Sequence, residues 1–147
     1  MIRIPQDIFD AMVSHVKGGY PDECCGALLG VIEDPGDGTL GSDVKLVSSA
    51  IVLTNINEER SADRYEIDPI ELLKVEKEAS KKGFTVVGYY HSHPDHPDEP
   101  SVFDRERAWP DYSYVIIAVE GGEKIKTRSW TFIKMGEPFS EEELKVF

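Results

Sequence analysis

The sequence predicts an α+β, α/β-like domain in which a mixed β-sheet is covered by helices. Three observations carry this. Two stretches place apolar residues at helical spacing, short runs rich in β-branched residues lie between and after them, and the last two such runs are joined by Gly121-Gly122 in hairpin order. Hydrophobic residues make up 40% of the 147 and charged residues 30%, which suits one packed core and excludes a disordered chain. No repeat, linker or low-complexity tract divides it, so residues 1–147 read as a single domain.

Ile2–Ile4 opens a strand. Ile8, Phe9, Met12, Val13 and Val16 share one helical face, and Gly18-Gly19 closes that helix. Cys25–Ile32, CGALLGVI, reads as a buried strand, and Asp34–Asp43, with Pro35 and three glycines, as an exposed loop. Val44–Asn55 is a β-branched strand with a possible bend at Ser48-Ser49, followed by a polar loop over Asn57–Arg64. Asp68-Pro69 starts a second helix that carries Ile70, Leu72, Leu73 and Val75 and stops at Gly83. Phe84–His91 is a strand, Ser92–Pro100 with its three prolines a loop, and Ser101–Ala108 a short helix. Tyr112–Val119 and Lys124–Ile133 pair across the Gly-Gly turn, with Trp109, Pro110, Tyr112 and Tyr114 packing these last strands. Ser140–Phe147 is expected to be a frayed end or a short helix.

Charge narrows the partners. With 28 Asp and Glu against 16 Lys and Arg, the chain has a net charge of −12. Nucleic acid and anionic membrane surfaces are therefore not expected as partners, since both are gripped by clustered cations. The stretch Leu46–Asn57 is only 12 residues long and no uncharged stretch exceeds it, too short to span a bilayer; the start lacks a secretory leader's apolar core. Cys24 and Cys25 are adjacent and poorly placed for a relaxed disulfide, so a reducing cytoplasm is the expected compartment.

The chemistry concentrates in Tyr89–Ala108, YYHSHPDHPDEPSVFDRERA. His91 and His93, two apart at a strand end, project from the same face. Asp104 follows on the first turn of the next helix. Two imidazoles and one carboxylate make a three-ligand set for one Zn²⁺ with the fourth position open to water. Taken singly, each piece has a plainer explanation: His-x-His suits any polar strand end, and Ser101-x-x-Asp104 is a capping box. Metal-assisted hydrolysis also needs a general base that is not a ligand. Glu23, in PDECCG at the mouth of the strand Cys25–Ile32, is the candidate, although it is also one of 28 acids.

Together, Glu23, His91-Ser92-His93-Pro94, Ser101 and Asp104 resemble the motif of the JAMM (MPN+) metallopeptidases: a distant Glu, His-x-His-Pro, about seven residues, then Ser-x-x-Asp. Six residues, 95–100, intervene in this chain. PDECCGALLG, the segment Tyr65–Pro69 and GYYHSHPDHPDEPS are similar to the short bacterial type. The resemblance implies a curved mixed sheet flanked by helices, of cytidine deaminase-like architecture. It implies one Zn²⁺ on His91, His93 and Asp104, Glu23 as general acid–base, and Ser101 hydrogen-bonding the water or the oxyanion. It also implies hydrolysis after the C-terminal Gly-Gly of a small ubiquitin-like sulfur-carrier protein. The alternatives are a non-catalytic module that binds a ubiquitin-like partner and a zinc hydrolase of an unrelated small amide.

The remaining candidates are weaker. His96 reads as a loop residue at the rim, because a fourth protein ligand would close the metal. A Cys24 or Cys25 nucleophile would need a free histidine base, and buried thiols are the better expectation. His15 is expected at the surface, and no Gly-x-Ser-x-Gly elbow supports a serine triad.

Overall fold

The computed structural model describes residues 1–36, 38 and 43–147. The predicted Asp34–Asp43 loop therefore lies partly outside the described residues. The elements run β1 (Ile2–Ile4), α1 (Gln6–Gly19), β2 (Cys25–Glu33), β3 (Val44–Leu53), α2 (Pro69–Lys81), β4 (Thr85–Pro94), α3 (Val102–Arg107), β5 (Ser113–Glu120), β6 (Lys124–Thr131), β7 (Ser140–Glu142) and β8 (Leu144–Val146). They form one mixed sheet in the order β7-β6-β5-β4-β2-β3-β1-β8. β4 runs parallel to β5, and β1 is parallel to both β3 and β8. The other pairs are antiparallel. Among the described residues, no helix is long and apolar enough to cross a membrane.

The sheet is covered on both faces, as its alternation requires. On one face α1 buries Met12 and Val16 against Leu28, Val47, Tyr90 and Ile117. On the other, α2 places Ala79, Leu72 and Val75 against Cys25, Ala27, Leu29 and Tyr89. Each fully buried large apolar side chain contributes roughly 1.5–3 kcal/mol. The Asp68 carboxylate caps α2 by accepting from the Ile70 N–H at 2.9 Å, and Gly83 leaves it at φ +76°. Ile70 and Leu73 point to solvent. Ser48 is the extra residue of a bulge, since Leu29 pairs with Ser49 and Gly30 with Val47.

Gly19 and Gly26 are among the glycines required by close approach. A Cβ on Gly19 would sit 2.0 Å from the Cys24 Sγ, and one on Gly26 would sit 2.1 Å from the Tyr90 ring. Gly18-Gly19 therefore forms the last turn of α1 beneath Cys24, inside the helix rather than beyond it.

Several expectations are corrected. β4 does not stop at His91: Ser92, His93 and Pro94 pair in parallel with Ile117, Ala118 and Val119 of β5. Pro94 is tolerated because it is the last residue of the strand. The C-terminal segment is neither frayed nor helical. Ser140–Glu142 pairs with β6 and Leu144–Val146 with β1, so the tail supplies both edge strands of the sheet. Trp109 does not pack the last strands but is 65% exposed. His15 is half-buried rather than a surface residue, because its Nδ1 meets the buried Tyr90 hydroxyl at 2.8 Å.

Candidate metal centre

Three elements converge at the C-terminal end of β4. His91 and His93 lie on the α2 face of β4, and both are 1% exposed. Ser92, on the opposite face, accepts the Cys24 N–H at 2.8 Å and donates its own N–H to the Cys24 carbonyl at 3.0 Å. With Cys25 in register with His91, this clamp sets Glu23 beside His93. Asp104 arrives on the first turn of α3, which starts at the Ser101 cap.

The atoms that meet are all acceptors or potential acceptors. His91 Nε2 and His93 Nε2 are 3.1 Å apart, and Asp104 Oδ2 lies 3.2 Å from the first and 3.1 Å from the second. Bonds of about 2.0–2.1 Å in a tetrahedron place neighbouring ligands about 3.3 Å apart, so this triangle fits one small cation. Glu23 Oε1 stands 4.0 Å from His93 Nε2, within a Glu23–His91–His93 group whose ligand atoms all lie within 4.8 Å of one another. The donor set of imidazole nitrogens and carboxylate oxygens suits zinc.

Outer contacts orient this cluster. His93 Nδ1 lies 2.6 Å from the Pro97 carbonyl, which can only accept, so Nδ1 is the donor there and Nε2 is the nitrogen turned toward the cluster. His93 stacks on His96 at 4.1 Å between centroids, and His91 stacks on Tyr65 at 4.4 Å. His96 points its own Nδ1 at the Pro94 carbonyl, 2.8 Å away. The capping box does double service. Asp104 N–H donates to Ser101 Oγ at 3.1 Å, while Ser101 N–H donates at 2.9 Å to Asp104 Oδ2, the oxygen that faces both imidazoles. The cap is thus the support of a ligand-like carboxylate rather than its rival explanation.

Electrostatics separates the two carboxylates. Burial pushes the Glu23 carboxyl up to about 8; His93 opposes this, while Asp104 and Asp63 add to it. Burial also acts to raise Asp104, but His91, His93 and the Ser101 N–H outweigh it and hold Asp104 well below the usual carboxylate range. Glu23 Oε2 and His91 Nδ1 are buried without a hydrogen-bond partner among the described residues. Both thiols are free and buried, and burial pushes Cys25 up to about 12, which makes it a poor nucleophile.

The roles of three residues were not legible in the motif. Asn55 donates through Nδ2 to the Glu23 and Arg64 carbonyls at 3.1 and 3.0 Å and accepts at Oδ1 from the Asn57 and Glu66 N–H groups at 3.0 and 3.1 Å. Tyr65 and the Pro97 carbonyl act through stacking and main-chain contact. Asn55 stood only as the last, polar residue of the run Val44–Asn55, with nothing in the sequence to mark its role.

Buried imidazoles and carboxylates gathered at a strand end of this mixed sheet form a group that could hold a metal ion. The family model described as prokaryotic homologs of the JAB domain matches residues 5–133, and the chain belongs to that family. It is 33% identical over 145 residues to a desampylase of Haloferax volcanii, covering 95% of this chain and 92% of that protein. It is 33% identical over 134 residues to a CysO-cysteine peptidase of Mycobacterium bovis, covering 90% and 84%. A solution structure from Desulfitobacterium hafniense superposes with a TM-score of 0.81 at 31% identity, covering 100% of this chain and 93% of that one. A JAB1/MPN domain protein from Archaeoglobus fulgidus, at 19% identity and a TM-score of 0.56 over 100% and 97% of the two chains, shares the fold.

Proposed function

We propose that this chain, as one catalytic domain of the reducing cytoplasm, hydrolyses the amide bond after the C-terminal Gly-Gly of a small ubiquitin-like sulfur-carrier protein. One Zn²⁺ would be held by His91, His93 and Asp104. The observation that carries this reading is the 3.1–3.2 Å triangle of His91 Nε2, His93 Nε2 and Asp104 Oδ2, with the Glu23 carboxylate beside it. The relatives' names, a desampylase and a CysO-cysteine peptidase, support the substrate class.

When bound, zinc would supply Lewis-acid polarisation and a water acidified toward neutral pH. Glu23 removes a proton from the attacking water and hands one to the departing amine. Its buried carboxylate, with Oε1 4.0 Å from His93 Nε2, stands in place for both transfers. Ser101 already accepts the Asp104 N–H, and no acceptor among the described residues takes its own O–H. That O–H is the donor for the water or for the oxyanion. Pro97 and Tyr65 keep the imidazoles in place.

The test is mass spectrometry on zinc-loaded protein mixed with its own organism's carrier bearing a cysteine or short peptide after Gly-Gly. Loss of the extension is expected, with poor cleavage of lysine-linked ubiquitin chains. Efficient cutting of ubiquitin chains with no cleavage of any carrier would overturn the substrate class.

A further inference from the structure

Asp98 is a buried acid that the proposed reaction does not use. It lies in the connection from β4 to α3 and is 7% exposed. Residues 96–100 of that connection make no main-chain to main-chain hydrogen bond among the described residues, so side chains must hold it. Two of these come from β6, which is separated from β4 by β5 in the sheet. Arg128 Nη2 donates to the Asp98 carboxylate at 2.9 Å, and Trp130 Nε1 donates to the Asp98 carbonyl at 2.9 Å. Arg128 and Trp130 are two apart on one strand and so share a face, with the guanidinium carbon 4.9 Å from the Trp130 ring centroid.

This clamp grips the residue beside the one that meets His93. The Pro97 carbonyl, 2.6 Å from His93 Nδ1, is the oxygen of the peptide unit that joins Pro97 to Asp98. That unit is planar, so its oxygen is aimed by where the Asp98 Cα sits. Bonds to the Asp98 carboxylate and to the Asp98 carbonyl hold that Cα from two sides. The aim matters because the other contact of the ring cannot supply it. Stacking on His96 fixes the plane of the His93 imidazole, but a half-turn about its Cβ–Cγ bond preserves the stack and puts carbon where Nε2 should be. The Pro97 carbonyl rejects that half-turn, since it needs a donor at Nδ1.

We propose that Arg128 and Trp130 are positioning residues for His93: acting through Asp98 and the Pro97 carbonyl, they hold Nε2 toward the centre. This rests on the functional reading above, which makes His93 a zinc ligand, and it extends the support of that ligand from β4 to β6. Outer partners of a ligating imidazole are worth about tenfold to a hundredfold in metal affinity when lost. Arg128 also donates to Glu99 at 3.0 Å and lies 4.0 Å from Glu141, so its removal disturbs more than the clamp. Trp130→Phe is the cleaner change, because it deletes the Nε1–H and keeps an aromatic ring.

The experiment measures zinc affinity of the full-length protein by competition with a chromophoric chelator, and the exchange of the His93 Nδ1 proton in metal-free protein by ¹⁵N–¹H spectra. Trp130→Phe should weaken zinc binding about tenfold and make the Nδ1 proton exchange faster than in wild type. Arg128→Leu should do the same, and Arg128→Lys, which keeps the charge and a donor, should recover part of the affinity. Either of Trp130→Phe and Arg128→Leu decides the question if the other does not fold. Ile125→Ala, on β6 but packed into the α1 face, should lower the urea midpoint and leave zinc affinity and the Nδ1 proton unchanged. Wild-type zinc affinity or an unchanged Nδ1 proton in the clamp variants, or equal weakening in Ile125→Ala, overturns the positioning role. Failure of wild type to bind zinc overturns the functional reading itself and the inference with it.

Discussion

The two halves of β4 are equally buried and held for opposite reasons. Val86–Tyr90 is buried apolar strand, stabilised by removal of its side chains from water between α1 and α2. His91–His93 is buried just as deeply but polar, and next to it Glu23 Oε2 and His91 Nδ1 lack partners among the described residues. Burial of such groups costs free energy unless something satisfies them. Lys45 shows how this fold treats a buried cation that has only a structural role. Its Nζ donates to the Asp111 carbonyl at 2.6 Å and to Ser113 Oγ at 3.0 Å. A strand end that leaves polar groups unpaired, while the same sheet satisfies Lys45, is arranged for a ligand.

Substitutions in the two halves should therefore part company. His91→Ala should abolish both turnover and stoichiometric zinc while leaving the metal-free protein about as stable as wild type, as elemental analysis and denaturant melts would show. A large loss of metal-free stability would erase the contrast. Tyr90→Ala, one residue away, should cost about 3–5 kcal/mol in the same melts, because it empties a core site and strands His15, yet leave zinc bound.

Glu23 sharpens the contrast through pH. Its folded proton affinity is raised, so between about pH 4.5 and 8 the folded chain holds a proton that the unfolded chain has lost. Its contribution is fully present at low pH and is lost as pH rises through that window. Metal-free Glu23→Gln should thus be more stable than wild type by on the order of 5 kcal/mol at pH 9 and no more stable at pH 4. Equal urea midpoints at both pH values would show that Glu23 is not held in a costly environment. Ser101→Ala should cost about 1 kcal/mol of stability for a lost cap. If the hydroxyl also serves the reaction, kcat falls by about a hundredfold or more with zinc and fold intact.

Most of the sheet and the three helices were legible in local pattern, because period, caps and glycine turns are local signals, whereas Glu23, His91, His93, Ser101 and Asp104 stood out as a set only through their resemblance to a family motif. The misreadings have a common origin in long-range pairing. Pro94 ends the pattern of β4 locally, yet β5 extends the strand through it. The tail read as a frayed end or a short helix because three-residue strands carry almost no period, and only β6 and β1 give them partners. His15 looked exposed because its partner, Tyr90, is 75 residues away. The same holds inside the site. Asn55, Tyr65 and Pro97 act through main-chain bonds and ring stacking that no spacing rule encodes.

The central claim is that His91, His93 and Asp104 hold zinc while Glu23 moves protons, and Glu23→Gln separates the two roles most directly. Its zinc content and its turnover of a Gly-Gly-Cys carrier should be measured on one preparation. One zinc per chain with kcat reduced by about a hundredfold to ten-thousandfold is the predicted result. Zinc lost along with activity would make Glu23 a ligand, and near-normal turnover would remove it from the chemistry altogether.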